Sequence, residues 1–130
     1  MPWWAIIYLV VFAGLCVAAV WDDDRDGRSV PFLLCSVLAH STIVYLFIAF
    51  WQPALVGSFG IVLATAFVLA IGWHVFQTVA DLRAVRQDPD LSAVERRFIP
   101  PLAVVFVWLV DLPAFVVAGF AAFRASAPTV

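Results

Sequence analysis

Apolar residues run almost unbroken through positions 2–21, 31–51, 54–79 and 99–123, and short polar stretches separate these runs. Each run is about 20 residues or longer, which at about 1.5 Å per residue matches a hydrocarbon core roughly 30 Å thick. Lipid offers the backbone no partner outside a helix or a closed barrel, and the runs lack the period-two alternation of barrel strands. The pattern therefore predicts an all-α integral membrane protein: a four-helix bundle of antiparallel, up-down spans in a single domain, 1–130. The first run resembles a secretory signal in position alone. Met1 to Trp4 holds no basic residue and the run continues with bulky side chains to Trp21, so it reads as a retained span.

The connections have their own patterns. Gln52 and Pro53 break the run between spans two and three, and proline suits the first turn of a helix, so helix three is expected to begin at once. Val79, Leu82 and Val85 continue one apolar side beyond the third run, which extends that helix into the cytoplasm until Asp88-Pro89. Ser92 followed by Glu95 has the form of a capping box, predicting a short interfacial helix ahead of Pro100-Pro101 and span four.

Composition agrees: 65% of residues are hydrophobic and 12% charged, far from a soluble domain. Charge then orients the chain. Arg25, Arg28, Arg83, Arg86, Arg96 and Arg97 lie in the segments 22–30 and 80–98, and Arg124 alone lies on the other side. The positive-inside bias places both segments in the cytoplasm and both termini outside, in a cell membrane. Trp3, Trp4, Trp21, Trp51 and Tyr8 fall near span ends, as expected of interfacial rings.

Asp111 is the one charged residue inside a run. A carboxylate at the bilayer centre costs about 2.5 to 3.5 kcal/mol on insertion scales, so it calls for a partner or a cavity. Pro113 follows and cannot bond to the carbonyl of Leu109, which predicts a kink beside it. Counting along ideal helices puts Asp111 about 16 Å and His40 about 14 Å from the cytoplasmic ends, with Thr65 and Ser41 near the same level. The expected midplane polar layer is Asp111, His40, Thr65 and Ser41. It would serve as a hydrogen-bonded latch between helices, and the same Asp111 and His40 pair would serve a proton or cation relay. A ligand or quinone contact is a third use for Asp111.

Other constellations carry less chemistry. Cys16, Cys35 and His74 share a level about 6 to 9 Å inside the cytoplasmic edge but lack metal-ligand spacing. His40 and His74 are the histidines that would hold a haem, though the count separates them by about one helical turn. Asp22, Asp24 and Asp26 with Gly27 open like a calcium-binding loop, whereas position twelve is Leu33 and not a bidentate glutamate. A solvated turn is the expected reading, and no cofactor is expected. Asp24-Arg25-Asp26-Gly27-Arg28 also resembles the D-R-x-G-R core of the short cytoplasmic loop in major facilitator transporters. The likeness covers five residues, with Val20 and Ser29 departing from that family's pattern. It implies a cytoplasmic position for this loop.

No nucleophile sits beside a base in a recognisable motif and no phosphate loop occurs, so an enzyme is not expected. A net charge of −2 without a sizeable basic patch argues against nucleic acid. The expected partners are the lipid bilayer and other membrane subunits or copies of itself. Small residues Gly57, Gly60, Ala64 and Gly72 would form the contact face of an accessory or assembly subunit. The alternative is a proton- or cation-coupled transporter or channel oligomer.

Overall fold

The computed structural model describes residues 1–55 and 60–126. Helices α1 (Trp3–Arg25), α2 (Val30–Trp51), α3 (Gly60–Gln87) and α4 (Ala93–Ser126) make up nearly all of it, and no strand occurs among the described residues. Each helix is long and apolar enough to cross a bilayer.

Helix α2 packs on all three others, whereas α1 leans on α2 and barely touches α4. Phe67 meets Phe123 and His74 meets Phe115, so α3 and α4 run in opposite directions. Arg28 on the α1–α2 turn bonds Asp81 near the end of α3, which brings the two arginine-bearing connections to one end, called here the loop end. The core is Phe12 of α1, Ile43, Leu46 and Phe47 of α2, and a row of alanines on α4. Ala114, Ala118 and Ala122 repeat every four residues and are fully buried, so the small residues that permit close packing lie on α4. Beside that row, a Cβ on Gly119 would lie 3.1 Å from the Phe67 ring. Of the small face expected on the third run, Ala64 is half-buried, Gly72 is exposed, and Gly57 and the surroundings of Gly60 lie outside the described residues.

Several element ends differ from the sequence expectation. Helix α1 continues past Trp21 through the acidic stretch to Arg25. It ends in a Schellman motif: Gly27, with φ 71°, donates its N–H to the Asp24 carbonyl and Arg28 to that of Asp23. Pro53–Leu55 forms a 3-10 turn, held by the Tyr45 hydroxyl donating to the Leu55 carbonyl, and the start expected for helix three just after it falls partly outside the described residues. The third helix does run on to Gln87, as its apolar side predicts. The capping box also forms: the Ser92 amide donates to Glu95 Oε2 at 2.8 Å and the Glu95 amide to Ser92 Oγ at 3.3 Å.

No separate interfacial helix follows, because α4 runs uninterrupted through Pro100, Pro101 and Pro113. Each proline removes one backbone donor, and Pro100 and Pro101 do so near the start of the helix. Around Pro113 the structure uses a side chain instead. Tyr8 donates its hydroxyl to the Val110 carbonyl at 2.6 Å and accepts the Ala114 amide at 3.0 Å, so it bridges two groups that would ordinarily pair as one rung. Tyr8 is thus half-buried against Phe12 and Phe47.

Candidate functional site

The extension of α1 decides which aspartate matters. Successive helical residues are turned by about 100°, so Asp22, Asp24 and Asp26 scatter around the helix end instead of converging, while Asp23 turns inward. The calcium-loop geometry is therefore not formed, and no three His, Cys, Asp or Glu side chains among the described residues are placed to hold a metal ion.

Asp23 is 8% exposed and collects donors from the other elements. Gln77 of α3 donates its amide to Asp23 Oδ2 at 2.7 Å, and the Ser36 hydroxyl of α2 donates to the same oxygen at 3.4 Å. Trp73 Nε1 donates to Ser36 Oγ at 3.2 Å. Arg28 Nε lies 3.9 Å from Asp23 Oδ1, while an Arg28 terminal nitrogen reaches Asp81 Oδ1 at 2.9 Å. The Arg28 guanidinium carbon stands 4.9 Å above the Phe32 ring, which in turn packs on Trp73. A carboxylate so buried requires this set of charge-assisted bonds, since losing one partner leaves it poorly solvated.

One turn deeper, His40 and His74 meet edge to face with ring centroids 4.6 Å apart. Helical side chains lean toward their own N-terminus, and α2 and α3 run in opposite directions, so the two rings lean toward each other. That closes the one-turn gap given by counting backbone levels. His40 Nδ1 lies 2.7 Å from the Ser36 carbonyl, which can only accept, so Nδ1 carries the proton and Nε2 is left as an acceptor. His74 Nε2 is buried with no hydrogen-bond partner. Rings in edge contact leave no room for a macrocycle between them, so the pair does not fit a bis-histidine haem.

A partly open cavity of about 400 Å3 lies between α1, α3 and α4 beside these rings. His40, His74, Cys16 and Asp111 line it in depth, and Asp22 and Asp81 line it toward the loop end. Its remaining walls are mostly aliphatic, such as Leu15, Val104 and Val107. Asp111 is half-buried and forms no hydrogen bond or ion pair with a described residue. The structure thus brings Asp111 and His40 to one cavity without joining them directly. It does not bring in the rest of the expected layer: Thr65 is exposed and bonds the Ile61 carbonyl of its own helix, and Ser41 is exposed. Cys35 is exposed as well and does not line the cavity with Cys16 and His74.

Sequence reasoning missed Asp23, Gln77 and Ser36, which form a connected polar group among the described residues. Gln77 on a largely apolar helix was the available signal. Comparison with protein-family models, with curated proteins and with solved structures finds no match in any of the three.

Proposed function

We propose that this is a multi-pass membrane protein that acts as an accessory or assembly subunit of a larger membrane complex or homo-oligomer. In this reading the loop end faces the cytoplasm, as the arginine distribution favours, and both termini are outside. One observation carries it. The residues with polar side chains that are buried as a whole among the described ones, Asp23, Ser36, His40, His74 and Gln77, lie from the loop end to the middle of the helices, with His40 at the centre of α2, while the core toward the other end is Phe12, Ile43, Leu46 and Phe47. A polar interior that stops halfway suits a packed scaffold better than a conduit, since an ion needs polar groups along its whole path. The closed network around Asp23 ties three helices together in the same sense.

Gentle extraction from the native membrane tests this directly. The chain should elute with other membrane components or as a multimer, well above its own 14.3 kDa plus bound detergent. Recovery as a monomer under every mild condition would count against it.

A second reading, a proton- or cation-coupled oligomer, draws on the cavity that reaches Asp111 from the loop end. It would supply one half of a path that another copy completes. Asp111→Asn separates the two, because it keeps size and hydrogen bonding but removes titration. The assembly reading expects normal co-elution and no change in pH-driven flux in proteoliposomes, whereas the relay reading expects that flux to vanish.

A further inference from the structure

We propose that the cavity between α1, α3 and α4 binds a lipophilic primary or secondary ammonium compound, with its charged N–H groups on Asp111 and its apolar body along the aliphatic walls. The volume, about 400 Å3, is that of a small-molecule site, whereas a bare ion would need a tighter cage of ligands, and no three ligating groups converge here. Three carboxylates line the cavity, Asp22, Asp81 and Asp111, and no arginine does. Arg28 reaches Asp81 from outside the cavity, leaving Asp111 without a countercharge.

Hydrogen-bond polarity narrows the ligand further. Gln77 spends its amide nitrogen on Asp23 and presents its carbonyl as the free group. Thr78 donates its hydroxyl to the His74 carbonyl, so lone pairs remain. His74 is 8% exposed and its Nε2 has no partner. That nitrogen is closed off from the accessible space, so Asp111 is the group that anchors a ligand's charge. The cavity is therefore lined by acceptors that lack donors, and an anion or a carbonyl compound would add another acceptor to them. A protonated amine supplies both a positive charge and two or more N–H groups, and an apolar substituent matches the Leu15, Val104 and Val107 walls.

Equilibrium dialysis of the full chain in nanodiscs, against empty nanodiscs, tests this with naphthylmethylammonium as probe. The amine should bind saturably at one site per chain. Naphthalenemethanol, of the same shape without charge, should bind at least about tenfold more weakly, since charge-assisted bonds distinguish the two. Asp111→Asn should weaken the amine by a similar factor while leaving the alcohol unchanged. A second measurement needs no variant: the amine should slow alkylation of Cys16, which lines the cavity, without altering that of the exposed Cys35. Amine uptake equal to that of empty nanodiscs, equal binding of amine and alcohol, or unaltered Cys16 alkylation at saturating amine would each overturn the proposal. The outcome is independent of whether the chain co-elutes with a partner.

Discussion

Asp23 and Tyr8 are the two residues whose polar atoms do most to join helices. Asp23→Ala strips Gln77 and Ser36 of their shared acceptor and leaves Arg28 with Asp81 alone. Stranding buried donors and a partly buried cation should cost about 3 kcal/mol, at the low end for a broken buried pair because Arg28 retains some exposure. Denaturant titration in mild detergent reads this loss. The double variant Asp23→Ala/Gln77→Ala should cost less than the sum of the single ones, by about 1 kcal/mol, since Gln77 is already unpaired in the first. Additive losses would mean that the 2.7 Å bond contributes nothing. Tyr8→Phe removes one hydroxyl that serves two backbone groups of α4. The expected effect is about 1 kcal/mol and faster hydrogen–deuterium exchange in the peptide spanning 110–114. Unaltered exchange there would show that α4 closes the rung without Tyr8.

At the scale of elements, what was legible in the sequence follows from what burial length alone decides. A run of about 20 apolar residues admits few alternatives in lipid, so the four helices could be read directly. Their ends could not, because end positions depend on tertiary partners. Nothing in the stretch from Asp22 to Asp26 reveals that Asp23 will find Gln77, 54 positions away, and that this contact carries α1 beyond Trp21. The alternating aspartates open like a calcium-binding loop but read as a solvated turn that stops span one, with Gly27 at its bend. Gly27 is in fact the left-handed residue of a helix cap. Likewise His40 and His74 were placed a turn apart by backbone counting, which leaves out the opposite lean of side chains on antiparallel helices. Gly27→Ala tests the cap. A Cβ there meets no atom within 4 Å, so the cost is conformational, about 1 kcal/mol. A thermal melt in detergent should shift down accordingly, and an unchanged melt would show that the turn between α1 and α2 relaxes freely.

For the whole molecule the uneven distribution of buried polarity matters more than any one contact. The stretch from the loop end to the middle of the helices holds the Asp23 network, the histidine pair and the cavity, and the opposite half is closed by Phe12, Ile43, Leu46 and Phe47 with the alanine row of α4. Water enters a membrane protein where polar groups line a space and is excluded where apolar side chains fill it. Small hydrophilic reagents should therefore reach one half only. In a chain whose Cys16 and Cys35 are replaced by alanine, Thr78→Cys should react with a water-soluble maleimide, since Thr78 lines the cavity toward the loop end. Phe47→Cys, at a site 2% exposed in the native chain, should stay unreacted in the folded state. Sidedness adds a second constraint from the same variants: in sealed inside-out vesicles Thr78→Cys should label rapidly, and in right-side-out vesicles only after permeabilisation. Labelling of Thr78→Cys from both sides would require a polar route across the core, which would favour a conduit over a scaffold. Labelling from the outer side alone would reverse the orientation that the arginines imply while leaving the half-polar interior intact.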